Sequence, residues 1–427
     1  MRTLQEDQAG IFIASLKKRA STSVYEDDIQ RTVRKIIADV QKHGDRAVKK
    51  YTEKFDSLKL TRLAVSAREI EAAAKKADDK FLKALKLSAV RIRAFHERQK
   101  EKSWQFSKDG ITLGQIIRPL ERVGVYVPGG KAAYPSTVLM NVIPAQVAGV
   151  REIALCVPTP DGRVNPYVAT AIKLLGVKEV YRIGGAQAVA ALAYGTETIK
   201  KVDKIAGPGN IYVAVAKKIV FGEVGIDMIA GPSEILIIAD RTADSSFIAS
   251  DLLSQAEHDE MASSILITDS LMLAEAVKKD LADQIRKLKR KDIARKSLNK
   301  YGAIIITRNL DKAGHIANQI APEHLEIMTR APSKMLPMIR NAGAVFLGKW
   351  TPEPMGDYAA GPNHTLPTGG TARFSSPLGV YDFIKRTSLL DFSKAGFMGL
   401  ADTVETFADV EGLEAHGNTV RVRSGRK

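Results

Sequence analysis

Four of the seven histidines in this chain lie in short polar clusters spread over its second half. The clusters are Gln255–His258, Pro322–His324, Asp357–His364 and Glu414–His416. Nitrogen and oxygen donors of this kind serve both as ligands of a divalent metal and as groups that transfer protons. The clusters therefore indicate a metal site, an acid/base site, or both.

The first cluster ends a segment with helical spacing, in which Gln255 and His258 are three residues apart. Side chains at that spacing share one face of a helix, so both could bind one ion. Zinc, however, prefers His, Cys and carboxylate ligands, and Gln is an unusual donor. The residues alone leave two interpretations open, a metal site and an ordinary polar helix end.

Glu323 and His324 are adjacent titratable residues that precede a short apolar run. A histidine that titrates near neutral pH beside a carboxylate suits general acid/base catalysis. Surface Glu-His pairs are also common. Asp357 and His364, in a loop rich in Gly and Pro, are each ambiguous when taken singly.

Length and composition indicate a multidomain globular protein. A chain of 427 residues with 45% apolar residues can build more than one core. No long apolar run and no signal-peptide pattern is present, so we expect a soluble, cytoplasmic protein. The single cysteine, Cys156, lies in an apolar run, which predicts burial and excludes intramolecular disulfides and cysteine-based zinc clusters.

The formal net charge of +16 points towards nucleic acid, and residues 278–300 are the densest basic stretch. Apolar residues recur through this stretch at helical spacing, and no aromatic residues interleave the charges. We therefore interpret it as the solvated face of one surface helix. Neither nucleic acid nor a membrane is expected as a partner.

The order of predicted elements favours a parallel α/β architecture. Residues 24–102 have the spacing of charged helices, and from Val123 short β-rich runs alternate with helical segments. This alternation is typical of parallel sheets flanked by helices, so two α/β units are expected. A loop rich in Gly, Pro and Thr at residues 352–377 precedes a tail, from about Val380, that is predicted to be helical.

Four glycine-rich segments lie near predicted strand ends, at residues 126–130, 184–188, 206–210 and 230–234. Open α/β sheets bind ligands at such positions, and the order of elements suits a dinucleotide. The G-x-G-x-x-G fingerprint with its ribose-binding acid is missing, so a standard Rossmann cofactor site is not supported. Ordinary turn glycines explain any one of these segments equally well.

Taken together and in this order, the motifs closely resemble those of the histidinol dehydrogenases. The matching segments are Gly124–Gly130, Gly184–Ala188, Gly207–Asn210, Gly231–Glu234, Gln255–His258, Ala321–His324, Gly356–Lys385 and Glu411–His416. The resemblance covers roughly residues 120–420 and is specific because so many separated motifs coincide. The first hundred residues match only in their helical character.

The resemblance implies an enzyme that depends on zinc and NAD and oxidises L-histidinol through the aldehyde to L-histidine, the last steps of histidine biosynthesis. The implied ligands of one zinc ion per subunit are Gln255, His258, Asp357 and His416. The implied acid/base pair is Glu323 and His324. Besides the four metal ligands, the implied substrate contacts are Ser233, His324, His364 and Glu414. The implied NAD contacts are Tyr126, Gln187 and Asn210.

The implied fold is α/β, with two incomplete Rossmann-like, parallel-sheet domains, a helical N-terminal arm and a helical C-terminal tail. The arm spans residues 1–22, and residues 23–125 with 235–377 form the domain carrying most metal ligands and the acid/base pair. Residues 126–234 form an inserted NAD-binding domain. The tail, residues 378–427, reaches the partner of a homodimer and contributes His416 to a shared active site.

With Cys156 predicted to be buried, we expect water, activated by Glu323, to add to the aldehyde in place of a thiol. Two other functions would account for parts of the sequence. A zinc-dependent dehydrogenase of the same fold could act on another primary alcohol, such as a sulfonated diol. A basic α/β nucleic-acid-binding protein would explain the charge but not the dispersed Gln, His, Asp and His residues.

Overall fold

The computed structural model describes residues 1–25, 27–129 and 133–426, with only the backbone for residues 20–25. Gly130, in the first glycine-rich motif, lies outside the described residues. The chain divides into two compact units, Met1–Gln99 with Glu121–Phe383 and Lys100–Leu120 with Ile384–Lys427. None of the described helices is both long and apolar enough to cross a membrane.

The described residues form strands that belong to three sheets. The strands are β1 (Arg2–Gln5), β2 (Trp104–Lys108), β3 (Ile111–Pro119), β4 (Arg122–Tyr126), β5 (Glu152–Cys156), β6 (Glu179–Tyr181), β7 (Lys204–Ala206), β8 (Gly225–Ile226), β9 (Glu234–Ala239), β10 (Ser263–Thr268), β11 (Ala303–Ile306), β12 (His324–Met328), β13 (Ala344–Leu347) and β14 (Ile384–Phe392).

Helices connect most of these strands. They are α1 (Ala9–Tyr25), α2 (Asp27–Asp56), α3 (Ala67–Ala74), α4 (Asp79–Glu97), α5 (Pro135–Ala148), α6 (Pro166–Leu175), α7 (Gly185–Tyr194), α8 (Ile211–Val220), α9 (Ser245–Ala256), α10 (Leu271–Ile285), α11 (Lys291–Tyr301), α12 (Leu310–Ile320), α13 (Glu353–Met355), α14 (Lys394–Val410) and α15 (Glu414–Ser424).

A six-stranded parallel sheet, in the order β1-β11-β10-β9-β12-β13, forms one core of the first unit. Along β9, Ile235 and Ile237 belong to an apolar cluster with residues of α9 and α10, whereas Leu236 and Ile238 belong to a cluster with α1 and α12. Successive side chains of a strand point to opposite faces. The unbroken apolar run of β9 is therefore explained by helices on both faces.

The second parallel sheet has five strands in the order β6-β5-β4-β7-β8. Residues of α2, α7 and α8 share one of its apolar clusters, and residues of α4, α5 and α6 share the other. Strand order reverses at β4, since β5 lies on one side and β7 on the other. Ligands of open α/β sheets bind at such a reversal. The α/β class with two parallel sheets, predicted from the sequence, is thus confirmed.

The second unit contains an antiparallel sheet, in the order β14-β3-β2, and the helices α14 and α15. The prediction of a helical tail from about Val380 was wrong for β14, which pairs with β3 over nine residues. Most side chains of β14 are exposed, so its residues show no apolar alternation. The partner strand lies far away in sequence, where local patterns carry no information about it.

Two further predictions about elements were wrong. Arg2–Gln5, placed in a helical arm, is an edge strand that pairs in parallel with β11. The basic stretch 278–300, interpreted as one helix, is divided between α10 and α11. The domain boundaries remain a prediction, although residues of α2 and α4 belong to the clusters of the five-stranded sheet.

Candidate active site

The candidate site lies at the amino edge of the six-stranded sheet. Glu234 is the first residue of β9, His324 is the first residue of β12, and these strands are neighbours. Helix α9 leads from β9 to β10, the parallel neighbour of β9, so its last turn with Gln255 returns to the same edge. Because the carboxyl end of a helix is its negative pole, this edge favours a cation.

The backbone of Glu234 holds both members of the predicted acid/base pair. The Nδ1 atom of His324 lies 3.0 Å from the Glu234 carbonyl oxygen, and the Glu234 N–H donates to Oε2 of Glu323 at 2.9 Å. A carbonyl oxygen can only accept, so Nδ1 carries a hydrogen. In the neutral imidazole, Nε2 is then the basic nitrogen. It is buried, and no described residue provides a hydrogen-bond partner for it.

Two further carboxyl groups face the Nε2 atom of His324. Oδ1 of Asp357 lies 3.7 Å away, and Oε1 of Glu353 lies 4.0 Å away. Glu323 is on the Nδ1 side, with Oε2 at 3.7 Å. Burial would lower the pKa of His324, but the surrounding carboxylates outweigh it and raise the pKa to about 10. A bound cation would offset this concentration of negative charge.

Burial also shifts the pKa values of the carboxyl groups themselves. It raises the pKa of Glu323 to about 7, although His324 favours the ionised form. For Glu353, burial together with Asp357 raises the pKa to about 8. Burial also disfavours the charged form of Asp357, yet the contact with His324 holds its pKa below the usual value. The site therefore combines a carboxyl that titrates near neutrality with one that stays ionised.

Gln255 and His258 lie side by side, as their spacing predicts. Nε2 of Gln255 is 3.2 Å from Nδ1 of His258, and Gln255 is fully buried. Oε1 of Gln255 is buried without a hydrogen-bond partner among the described residues. Burial lowers the pKa of His258, opposed by Asp357, and so favours the neutral imidazole that a metal ligand needs.

His364 belongs to the same group of side chains. Burial lowers its pKa, and Asp357, His324 and His258 are all close enough to influence it. Ser233 precedes β9, and its carbonyl oxygen accepts the N–H of Ser263. The metal, acid/base and substrate residues that were predicted in the first unit therefore converge on this edge of the sheet.

The other two predicted residues, Glu414 and His416, belong to the second unit. Both lie in the first turn of α15 and are exposed. Their exposed side chains are available to another molecule. Their roles as a substrate contact and as a metal ligand remain predictions.

The three predicted cofactor contacts lie at the carboxyl edge of the five-stranded sheet. Tyr126 ends β4, and its hydroxyl accepts the N–H of Gly185 at 3.1 Å. Asn210 caps α8 by accepting the N–H groups of Tyr212 and Val213. Gln187 lies in α7, where its Oε1 is buried without a partner among the described residues.

The backbone of Gly207 explains why one of the glycine-rich segments lies at this edge. Its φ is +116°, and a Cβ atom there would lie 2.1 Å from the carbonyl oxygen of Tyr126. No other residue fits, because the backbones after β4 and β7 approach too closely. The glycine thus brings two strand ends together at the reversal of strand order.

Four buried acidic residues in or near the candidate site were not identified from the sequence: Glu234, Asp251, Glu326 and Glu353. Oε1 of Glu326 accepts the N–H of Glu353 at 2.8 Å and so anchors α13. Asp251 and Glu326 are close enough to influence each other, and burial raises the pKa of both, that of Asp251 to about 6. Glu326 interrupts an otherwise apolar strand, which is the signal that could have identified it.

A second set of donors overlaps the predicted metal ligands. Ligand atoms of His324, Glu353 and Asp357 all lie within 4.8 Å of one another. Asp357 is common to this set and to the predicted one. The geometry therefore supports cation binding beside Asp357.

A parallel α/β fold and a buried histidine surrounded by carboxyl and amide groups at a sheet edge are typical of an enzyme active site. In fold alone, the chain is similar to an acetylating aldehyde dehydrogenase from Geobacillus thermoglucosidasius, with a TM-score of 0.50 and 11% identity over 91% of this chain and 97% of the other.

Closer relatives identify the family. The profile of the histidinol dehydrogenase family matches residues 18–424. Histidinol dehydrogenase from Geobacter sulfurreducens is 55% identical over 93% of each chain, and that from Bacillus subtilis is 51% identical over 96% of each chain. The crystal structure of histidinol dehydrogenase from Elizabethkingia anophelis superposes with a TM-score of 0.94 at 39% identity, covering 100% of this chain and 98% of the other. The chain belongs to the histidinol dehydrogenase family, whose members are oxidoreductases.

Proposed function

We propose that this protein oxidises L-histidinol through L-histidinal to L-histidine, using two molecules of NAD and one zinc ion per subunit. The observation that carries the proposal is the buried Nε2 atom of His324, which faces the carboxyl groups of Asp357 and Glu353 and has no hydrogen-bond partner among the described residues. The substrate is inferred from the names of the relatives. The side chains of the candidate site are of the types that oxidation of this substrate requires.

Zinc would be held by Gln255, His258 and Asp357 of one chain and by His416 of a second copy. The residues fit such an ion, because Oε1 of Gln255 is buried without a donor and His258 is held neutral by burial. When bound, zinc orients the substrate's amine and imidazole nitrogens and compensates nearby negative charge. Gln is an uncommon zinc ligand, and its burial beside His258 is what favours it here.

His324 acts as the base in the alcohol step. Its Nδ1–H is committed to the Glu234 carbonyl, so Nε2 is the nitrogen that takes the hydroxyl proton of the substrate once a bound cation offsets the carboxylates that raise the pKa of this histidine. The hydride leaves the same carbon for NAD. Asp357 then stabilises the resulting imidazolium, since it faces Nε2 and its pKa is held below the usual value.

Glu323 acts in the aldehyde step. Its carboxylate removes a proton from water while the oxygen adds to the aldehyde carbon, which gives the anion of a gem-diol. This anion would lose a hydride to the second NAD and a proton to the protein, which leaves the carboxylate product. With a pKa raised to about 7, Glu323 can both accept and release a proton near neutrality.

A thiol route is not available to Cys156. The side chain is fully buried in β5, and burial raises the pKa of its thiol well above the usual range. A thiolate is the nucleophilic form, so this cysteine cannot form a thiohemiacetal. Water is therefore the nucleophile of the proposed second step.

NAD would bind at the carboxyl edge of the five-stranded sheet, in contact with Tyr126, Gln187 and Asn210. The reversal of strand order at β4 supports this position. Asn210 uses Oδ1 to cap α8, so its Nδ2 remains available for the cofactor. The buried Oε1 of Gln187 also lacks a donor among the described residues.

The substrate would be held by Ser233, His364 and Glu414 in addition to the metal ligands, and Glu414 with His416 would come from a second copy of the chain. The second unit supports such an assembly because it exposes large apolar side chains. These include Leu390, Phe407, Val410 and Val422, which are 63–83% exposed. Apolar surface of this kind is typical of an obligate interface.

The proposed activity is tested with purified protein, L-histidinol and NAD. We expect two NADH for each histidine formed, loss of the activity on chelation, and its return with zinc. If chelation leaves NADH formation unchanged, the proposed dependence on zinc is contradicted. If the protein oxidises a sulfonated diol but does not oxidise histidinol, the proposed substrate is wrong.

A further inference from the structure

We infer that Arg19, in the helix α1, is a positioning residue that holds the acid/base pair in place through Glu234. The inference rests on the roles proposed for Glu323 and His324. Arg19 lies outside the motifs that the sequence analysis singled out. Glu234 belongs to one of them, but its side chain has no part in the proposed reaction.

Glu234 is the shared support of both reactive side chains. Its carbonyl oxygen fixes Nδ1 of His324 at 3.0 Å, and its N–H fixes Oε2 of Glu323 at 2.9 Å. Any movement of this residue would therefore displace the base and the water-activating carboxylate together. The position of Glu234 is set in turn by its side chain, which lies 95% buried.

The carboxylate of Glu234 is held by Arg19. Nη2 of Arg19 lies 2.5 Å from Oε1 of Glu234, and the arginine side chain is only 1% exposed. The other oxygen, Oε2, has no hydrogen-bond partner among the described residues. Without Arg19, a buried carboxylate would lose its counter-charge and would have to take up a proton, admit water or move.

Arg19 is itself fixed by neighbouring groups. Nη1 donates to the carbonyl oxygen of Met261 at 2.7 Å, and the guanidinium lies over the ring of Tyr301. A planar guanidinium can make these contacts at once, whereas a lysine ammonium offers only a point charge. The pair thus connects the first helix to the catalytic edge of the sheet.

The test compares R19Q, R19K, E234Q and the double variant R19Q/E234Q as full-length, zinc-loaded proteins. For R19Q we expect kcat to fall about 100-fold in both oxidation steps, the loss typical of a misplacement near 1 Å. KM for histidinol and zinc content should stay unchanged, because the metal ligands are not touched. R19K should be intermediate.

The double variant separates positioning from folding. It removes both buried charges and lets two amides hydrogen-bond, so kcat should recover to at least about tenfold above R19Q. R122Q is the control, because Arg122 is also a buried arginine in an ion pair, with Glu179, and it is the first residue of β4, at the opposite edge of that sheet from the proposed NAD contacts. It should lower the melting temperature without lowering kcat.

The results have separate meanings. Wild-type protein that forms no NADH from histidinol would refute the proposed function. Active wild type with R19Q at full kcat, or a double variant no faster than R19Q, would refute only the role of Arg19. If R19Q does not fold, R19K and the double variant test the role of Arg19 in its place. Equal kcat in R19K and wild type would then overturn that role.

Discussion

At the scale of single residues, the site separates two proton-transfer groups by the contacts they make. His324 has one nitrogen committed to a carbonyl oxygen and the other facing carboxyl groups that raise its pKa, whereas Glu323 accepts a backbone N–H and has a pKa raised to about 7. The two groups are adjacent in sequence but are held in different environments. We therefore assign them to different steps of the reaction.

Replacing Glu323 tests this separation. In E323Q the amide keeps the shape of the side chain but cannot take a proton from water, so aldehyde oxidation should slow about 100- to 1,000-fold. Alcohol oxidation should slow much less, because His324 is retained. Single-turnover rates measured separately with histidinol and histidinal check the prediction, and equal losses in both steps would contradict it.

Much of this residue pattern could be predicted from the sequence, because Gln255 and His258 share a helix face and Glu323 and His324 are neighbours. Glu234 and Glu353 could not be recognised in that way. Their importance comes from contacts with residues that are distant in the chain, such as Arg19 and His324. A sequence pattern records spacing, but it does not record which distant backbone group a side chain meets.

At the scale of elements, helix caps and strand ends fix the positions of charged side chains. Ser66 caps α3 and forms a capping box with Glu69, and Glu69 also pairs with Arg182 just after β6. Parallel strands and their helices were predictable because their apolar runs are continuous. The antiparallel strand β14 was not, since its exposed residues carry no periodic signal.

The pH dependence of stability tests the pair formed by Glu69 and Arg182. Partial burial opposes ionisation of Glu69, but hydrogen bonds from Arg182 and Ser66 prevail and lower its pKa from 4.5 to about 2. The stabilisation is therefore complete above the unfolded-state pKa and is lost as the pH falls through the folded-state pKa. At neutral pH, E69Q should be less stable by about 1 kcal/mol or less, allowing for solvent screening.

Urea unfolding of wild type and E69Q near pH 7 and near pH 2 measures this difference. The amide of E69Q can still complete the capping box, so only the ionic contribution changes. The two curves should converge at the acidic end. A stability difference that is the same at both pH values would contradict the prediction.

At the scale of the whole molecule, the proposed zinc site needs two copies of the chain. Asp357 and Gln255 belong to the first compact unit, whereas Glu414 and His416 belong to the second and are exposed. Family membership and the two parallel sheets follow from the sequence motifs. The proposed source of the fourth ligand rests on the family resemblance alone, because a single chain's pattern does not distinguish a contact within the chain from a contact with a partner.

The central claim is that residues of two chains converge on one zinc ion, and mixed dimers test it most directly. H258N and H416N each remove one proposed ligand, so each pure variant should bind little zinc and form little NADH. A mixed dimer of the two has one site with all ligands and one lacking two, so about half of the wild-type zinc and activity should return. Mixed dimers as inactive and zinc-poor as the separate variants would contradict the shared site.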